Sequence, residues 1–162
     1  MIKMFKIELF KQGEKRMIPV FEHIFMGQNL YEKAVMPVCK AHGLTYMEFT
    51  VLMFLANNPQ YDTAAQISKI RQLSKSHVSI SLKGLQTRGF VEGQYFPGNQ
   101  KVLHLRLTEQ AQTVVAQGRE AQKEFGAKLI RGFTPEEVDQ LQSLINRIHE
   151  NMKQEETTRA RK

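Results

Sequence analysis

Residues 74–83 carry small hydroxyl, imidazole and ammonium side chains that together could bind a polyanion. The group is Ser74, Lys75, Ser76, His77, Ser79 and Lys83. Serine hydroxyls allow a close approach and hydrogen-bond to base edges or to phosphates, and lysines pair with phosphates. The chemistry that this group predicts is recognition of a nucleic acid.

Positive charge is concentrated around this group. Residues 60–106 contain seven lysines and arginines but only Asp62 and Glu92 as acids, in a chain whose formal net charge is +7. The cations are Lys69, Arg71, Lys75, Lys83, Arg88, Lys101 and Arg106. Such a segment fits a polyanionic partner, and the alternative is a solvated basic surface on a globular domain.

Helix-capping patterns place the group at the start of the second helix of a helix-turn-helix. Thr63 and Gln66 have capping-box spacing before a short helix, and Ser74 is the expected N-cap of the next. Thr45 and Glu48 have the same spacing at the start of a preceding helix. The second helix of such a pair enters the major groove with its first residues facing the bases, so the sequence predicts a DNA-reading helix after Ser74.

A change of periodicity predicts a β-hairpin after this helix. Residues 90–96 and 102–107 have strand character, and in the second run leucines alternate with polar residues. Residues 97–100 supply the turn. The predicted DNA contacts outside the reading helix are Thr63, Asn99, Gln100 and Lys101.

Long helices are predicted on both sides of this lobe. Pro19 is expected to open the first, Pro37 to kink or end it, and His42-Gly43 to close it. Thr108 is expected to cap a long helix after the hairpin, and residues 134–137 start the last helix. The predicted fold is mainly α with a small β-hairpin wing (α+β): a winged helix-turn-helix whose terminal helices form a dimerisation domain.

The last helix carries apolar residues at alternating steps of three and four, the a/d seam of helix pairing. The predicted contacts of a homodimer are Phe21, Phe133, Val138, Leu141, Ile145 and Ile148. The predicted division is an N-terminal extension without specified structure (1–17), dimerisation helices (18–43 and 109–152), a DNA-binding lobe (44–108) and a charged, frayed tail (153–162).

The run from Gly43 to Glu109 resembles the MarR-type regulators. The matching pieces are Leu44-Thr45, Leu73-Ser74-Lys75-Ser76, Leu85 with Gly89-Phe90-Val91, and Leu107-Thr108-Glu109-Gln110-Ala111. With the flanking helices, the likeness extends over residues 18–152. It implies a winged-helix fold, a homodimer built from terminal helices, binding to a palindromic operator, and release of DNA by a small ligand or an oxidant.

Four positions depart from the family pattern. Asn99 and Lys101 stand where the wing usually carries an Asp and Arg pair, and lysine lacks the planar fork with which arginine enters a minor groove. Ile80 stands where a basic or polar residue is common. Gly84 lies inside the reading helix, at a cost of about 1 kcal/mol relative to alanine. These departures concern the operator and the strength of its contacts, not the fold.

Aromatic and methionine side chains between the first helix and the lobe could line a pocket for a small aromatic, anionic effector. The candidates are His23, Phe25, Met26, Tyr31, Lys33 and Met47. The rings and thioethers suit a flat apolar ligand, and His23 or Lys33 could meet its carboxylate. The alternative is that these helically spaced residues are ordinary core.

Cys39, the single cysteine, has two interpretations. It could be a peroxide sensor whose thiol pKa is lowered by Lys40 and His42, or a small buried core residue. A lone cysteine fits a reducing cytoplasm. Cys39, His42 and His23 could suggest a zinc site, but the MarR-type resemblance implies that further His ligands would come from the helix after the wing, and residues 108–131 contain no histidine. No metal or cofactor is expected.

Other functional classes have no support in the sequence. No apolar run approaches the roughly 18 residues of a membrane span, and no nucleophile elbow, phosphate loop or paired-carboxylate site indicates an enzyme. The predicted function is a sequence-specific regulator, a repressor of transcription, that binds double-stranded DNA and is released by an aromatic ligand. The alternatives are redox sensing through Cys39, an architectural DNA binder without an effector, and a winged helix that binds protein.

Overall fold

The computed structural model describes residues 7–11, 14–18 and 20–160, with side chains at 26–98 and 100–154. Within these residues the elements are β1 (Ile7–Lys11), β2 (Glu14–Ile18), α1 (Val20–Ala41), α2 (Tyr46–Asn57), α3 (Ala64–Arg71), α4 (Lys75–Thr87), β3 (Val91–Phe96), β4 (Asn99–Leu107), α5 (Ala111–Leu129) and α6 (Pro135–Ala160). The predicted mainly α fold with a hairpin wing is confirmed.

The N-terminal extension, for which the sequence specifies no structure, contains a pair of strands in its described part. Strands β1 and β2 pair antiparallel, with Ile7 opposite Ile18 and Lys11 opposite Glu14. Strands of five residues carry too little periodic signal to be recognised in a sequence of mixed charge.

Helix α1 runs through Pro37 and ends two residues before Gly43. Of the two roles predicted for Pro37, ending the helix is therefore wrong, and a kink at this residue stays a prediction. Pro19 lies outside the described residues. Gly43 adopts a left-handed φ of 62°. This conformation lets the Leu44 N–H donate to the Cys39 carbonyl at 2.8 Å, the closure that glycine permits at helix C-termini.

Helix α2 lies at the centre of the lobe, with Phe49 and residues 51–55 buried. It contacts α1, α4 and β4. Helix α5 approaches it so closely that a Cβ at Gly118 would lie 2.6 Å from the Met53 sulfur and 3.0 Å from the Phe49 ring. This core fixes the orientation of the helices that carry the candidate site.

Strands β3 and β4 form the second antiparallel sheet, with Val91 opposite Leu107. Strand β4 begins at Asn99, so the turn is Pro97-Gly98 and not the four residues 97–100 that the sequence predicts. Strand β4 is longer than β3, and the pairing of the two strands shifts register between Gln94 and Phe96.

Chain contacts divide the protein into two compact units, residues 1–125 and 126–162. The second contains α6, which starts with the predicted capping box: the Thr134 N–H donates to Glu137 at 2.8 Å, and the Glu137 N–H to the Thr134 hydroxyl at 3.3 Å. Helix α6 continues to Ala160, so the expectation of a frayed tail from 153 is wrong. In the described part of the chain, no helix is long and apolar enough to cross a membrane.

Candidate nucleic-acid interface

Helix α4 has one face fixed in the core and the other open to solvent. Val78, Leu82 and Leu85 are buried. All six predicted contact residues of this segment are exposed: Ser74, Lys75, Ser76, His77, Ser79 and Lys83. The Ser74 hydroxyl accepts from the His77 N–H at 3.2 Å, which confirms the N-cap. The buried stripe therefore sets which side chains α4 presents to a partner.

The turn between α3 and α4 is held by local hydrogen bonds. The Ser68 hydroxyl donates to the Leu73 carbonyl at 2.7 Å, and the Leu73 N–H donates to the Ser68 carbonyl at 3.1 Å. Gln72 takes the left-handed conformation, with φ 51°. Thr63 forms its predicted capping box with Gln66, so its hydroxyl is engaged inside the lobe. Its contact with DNA stays a prediction.

A buried carboxylate ties the C-terminal part of α4 to α2. Glu48 is 8% exposed and forms an ion pair with Arg88, whose guanidinium also donates to the Gly43 carbonyl at 3.2 Å. Burial alone would raise the pKa of Glu48. Hydrogen bonds from Thr45 and Arg88 outweigh it and lower the pKa below its usual value.

The Glu48–Arg88 ion pair occupies the space beside Gly84. A Cβ at residue 84 would collide with the Glu48 carboxylate and lie 3.1 Å from an Arg88 nitrogen. A side chain at residue 84 would therefore force the Glu48 carboxylate to move, which gives a packing reason for the glycine. Arg88 itself, one of the basic residues of the segment, is committed to Glu48.

A second link, missed in the sequence, joins the base of the wing to the start of α3. The Leu105 N–H donates to the Asp62 carbonyl at 2.7 Å, and His104 Nδ1 lies 2.8 Å from the Asp62 carboxylate. The Phe96 ring packs on His104 with centroids 4.5 Å apart. The one signal available was the position of Asp62 directly before a helix start, which does not identify a partner 42 residues away.

The outer part of the wing presents Gln100 and Lys101, both exposed. Asn99 pairs with Phe96 through the backbone, and its side chain lies outside the described residues. Arg106 is engaged with Glu92 at 2.7 Å across the hairpin. The wing therefore carries the exposed Lys101 at its outer end, and Arg106 pairs with Glu92 on the opposite strand.

Tyr31 and Lys33, two of the predicted effector residues, lie on different faces of α1. Tyr31 packs edge-on against Tyr46 and Phe125, with centroids 6.5 and 5.5 Å away, and its hydroxyl accepts from Gln122 at 2.6 Å. Lys33 lines an open groove of about 740 Å³ on another face, formed with Asn29, Glu32, Met36, Pro37 and Lys40. Residues two apart on a helix point about 200° apart, so these two do not converge.

The other effector candidates are scattered as well. Met26 is exposed, Met47 is half-buried, and the side chains of His23 and Phe25 lie outside the described residues. The described residues of the predicted pocket therefore do not converge on one site. Tyr31 instead belongs to a cluster of aromatic rings with Tyr46 and Phe125.

Cys39 is fully buried in the core. Burial raises the pKa of its thiol, and the charge of Glu32 adds to this effect. The neighbouring His42 pairs through its Nε2 with the Gln117 side chain at 2.8 Å. Among the described residues, no cluster of three His, Cys, Asp or Glu side chains could hold a metal.

The apolar seam of α6 is exposed in the single chain. Leu141 is 37% exposed and Ile148 58%, with Ile145 and Met152 between these values. Phe133 is exposed and Val138 half-buried. The side chain of Phe21 lies outside the described residues. This surface is available to a partner that can cover apolar side chains.

Comparison with known proteins shows which family the DNA-binding lobe is similar to. A family model described as the MarR family matches residues 42–97, which include α2, α3, α4 and β3. Residues 42–97 are therefore similar to the MarR family, and the chain has a winged-helix fold. The MarR-type resemblance found in the sequence is thereby confirmed.

Solved structures of MarR-type proteins superpose on most of the chain. The transcriptional regulator SlyA matches with a TM-score of 0.73 at 18% identity, over 84% of this chain and 95% of its own. A MarR structure matches with 0.68 at 16% identity, over 85% and 99%. A MarR family transcriptional regulator from Listeria monocytogenes, solved in complex with a 26mer DNA, matches with 0.70 at 16% identity, over 82% and 87%. At these identities the likeness extends to the fold.

Proposed function

We propose that this chain is a transcription regulator that binds double-stranded DNA through α4 and the β3–β4 wing. The observation that carries the proposal is the outward face of α4, which with its N-cap Ser74 exposes three serines, His77 and two lysines and holds no acidic residue. A helix presented in this way fits the B-DNA major groove. The DNA in the complex of the Listeria relative is consistent with this use of the fold.

The exposed residues divide between two roles. Ser76 and His77, in the first turn of α4, are proposed to contact base edges, where hydroxyl and imidazole groups discriminate donors from acceptors. Lys75, Lys83 and Lys101 are proposed to contact phosphates or the electronegative minor groove. Thr63, Ser74, Ser79, Asn99 and Gln100 complete the proposed contact set.

A homodimer is proposed as the active form, with an inverted repeat as its target. The support is the exposed three-four seam of α6, whose apolar side chains a second copy could cover. A two-fold dimer presents two α4 helices, and matching half-sites then lie about one helical turn apart. Repression is proposed as the consequence of occupying a promoter.

The test is selection from a random duplex pool with the full-length chain, followed by affinity measurements at several salt concentrations. We expect one inverted-repeat consensus and a steep decrease of affinity with salt. Lys83→Ala should weaken binding, whereas Lys123→Ala, which removes an exposed lysine of α5, should not. A chain that binds every duplex equally would support the architectural alternative, and one that binds none would contradict the proposal.

A small aromatic anion is the proposed effector. Its support is the aromatic cluster of Tyr31, Tyr46 and Phe125. This cluster joins α1 and α5, two of the predicted dimerisation helices, to α2 of the lobe. A ligand that favours one arrangement of these helices would shift DNA affinity by about 5–150-fold. The residues proposed at the site remain His23, Phe25, Met26, Tyr31, Lys33 and Met47, although Lys33 faces away from Tyr31.

Thermal-shift screening with salicylate and hydroxycinnamates, followed by operator-release titrations, tests the effector. Tyr31→Ala should abolish the response, and Leu30→Ala, at an exposed position of α1 outside the proposed set, serves as the matched control. Release by peroxide that Cys39→Ser prevents would instead support redox sensing. The burial and raised thiol pKa of Cys39 disfavour that outcome.

A further inference from the structure

Ile80 is an apolar side chain in an unusual position on α4. It is 67% exposed, the highest value among the large apolar side chains that the structure describes. It contributes little to the core, and as a β-branched residue it is a weaker helix former than lysine, arginine or glutamine. Folding of the lobe therefore gives no reason for isoleucine at this position.

The side chain points away from the core, in the middle of the face that is proposed to bind DNA. Ile80 follows Val78 by two residues, so it projects about 200° from that buried position. Ser76 precedes it by four residues and Lys83 follows it by three, so the three share one stripe. The small Ser76 and Ser79 leave the Ile80 methyl groups accessible to a surface that approaches α4.

The chemistry of the major groove offers isoleucine one suitable partner. Base edges there display hydrogen-bond donors and acceptors, and the thymine C5-methyl is their apolar group. Isoleucine cannot satisfy the cytosine amino group, which would lose its water without a replacement hydrogen bond. A contact with thymine buries two apolar surfaces and leaves no polar group unpaired.

We propose that Ile80 is a specificity-determining residue that contacts the C5-methyl group of a thymine in each half-site of the bound DNA. The proposal rests on the proposed function, since it needs α4 in the major groove. It adds a defined preference: one thymine per half-site is read through its methyl group and not through its hydrogen-bonding edge.

The experiment uses the consensus duplex obtained by selection with the full-length chain. Each thymine is replaced singly, in both half-sites together, by deoxyuridine, which lacks only the methyl group. We expect one thymine position at which the replacement weakens binding by about 4-fold for each half-site, the value for one buried methyl-sized group. At the other thymines the affinity should change by less than about 2-fold.

Ile80→Ala should remove this preference, so that its affinities for the thymine and deoxyuridine duplexes are equal. Ile70→Ala is the matched control, because Ile70 is also an exposed isoleucine but lies on α3. It should keep the wild-type ratio. An unchanged melting temperature for Ile80→Ala, expected for an exposed side chain, establishes that the variant is folded.

Three results would overturn the proposal. The first is a selected half-site without thymine, and the second is a wild-type chain that is insensitive to every deoxyuridine replacement. The third is an Ile80→Ala variant that keeps the full preference. Each of these leaves DNA binding intact and refutes this inference alone, whereas failure to bind any duplex would refute the proposed function with it.

Discussion

The winged lobe and helix α6 differ in how far their apolar side chains are exposed to solvent. In the lobe, Phe49, Leu52, Ile67 and Leu85 are completely buried by neighbouring elements of the same chain. In α6, the large apolar residues of the seam between 141 and 152 are 37% to 58% exposed. Both regions have comparable helical patterns in the sequence, so burial within one chain is what distinguishes them.

This difference indicates two kinds of stability. The lobe has a closed core that a single chain completes, with capped helices and an internal ion pair at Glu48. The seam of α6 gains its hydrophobic stabilisation only when another surface covers it. We therefore expect changes in the lobe to act on folding and changes in the seam to act on assembly.

The largest effect is expected for Leu141→Asp, which places a charge in the seam. The variant should be a monomer, because an interface cannot bury an unpaired carboxylate, and operator affinity should decrease by about 10²- to 10⁴-fold as the coupling of half-sites disappears. Light scattering measures the first effect and fluorescence anisotropy the second.

Ser143→Asp is the control for this change, since it adds the same charge to α6 at a position about 200° from Leu141. It should remain dimeric. Light scattering could instead give the mass of a monomer for the wild type at micromolar concentration. That result would contradict the proposal that the seam of α6, unlike the lobe, needs a second copy to cover it.

Glu48→Gln should destabilise the lobe by about 1–3 kcal/mol, because Arg88 loses its anion while remaining only partly exposed. The lowered pKa of Glu48 adds a pH dependence. A carboxylate whose pKa is lower in the folded state contributes stability above its usual value of 4.5, and that contribution is lost as the pH falls through the lowered pKa.

Urea denaturation at several pH values measures this contribution. The free energies of unfolding of the wild type and Glu48→Gln should differ most near neutral pH, approach each other below the usual pKa of Glu48, and converge below its lowered pKa. A difference that does not change between neutral and acid pH would contradict the assigned ion pair.

Gly84→Ala should reverse the usual effect of alanine in a helix. Alanine is normally favourable by about 1 kcal/mol, but the added Cβ meets the Glu48 carboxylate, and overpacking costs about 1–3 kcal/mol. The expected net change is destabilising. In a Glu48→Ala background the obstruction is absent, so the same substitution should be neutral or stabilising, and the double-mutant cycle measures the coupling.

The smallest effect is expected for Lys101→Ala at the wing. It should weaken binding to all duplexes alike and reduce the slope of log affinity against log salt by about one, the value for one phosphate that is no longer neutralised. The oligomeric state and the melting temperature should stay unchanged, because Lys101 is exposed and lies outside the core of the lobe and the seam of α6. An altered sequence preference at constant salt slope would contradict the assignment of the wing.

The sequence by itself determined the local structure. The capping boxes at Thr45, Thr63 and Thr134, the N-cap at Ser74 and the buried stripe of α4 all follow from residues three or four positions apart. Interactions at this range depend on the helix itself, so a sequence specifies them directly. The order of these elements also sufficed to predict the winged-helix fold.

Only the tertiary structure decided which distant residues meet. The pairing of Glu48 with Arg88 and of Asp62 with His104, and the close approach of the Glu48 carboxylate to Gly84, depend on how different elements pack. A sequence pattern states which face of a helix is apolar, but not which neighbour lies against it. Close packing selects the neighbour. One added carbon atom or one unpaired charge at a contact costs about as much free energy as a helix cap contributes, so only one arrangement of the elements is stable.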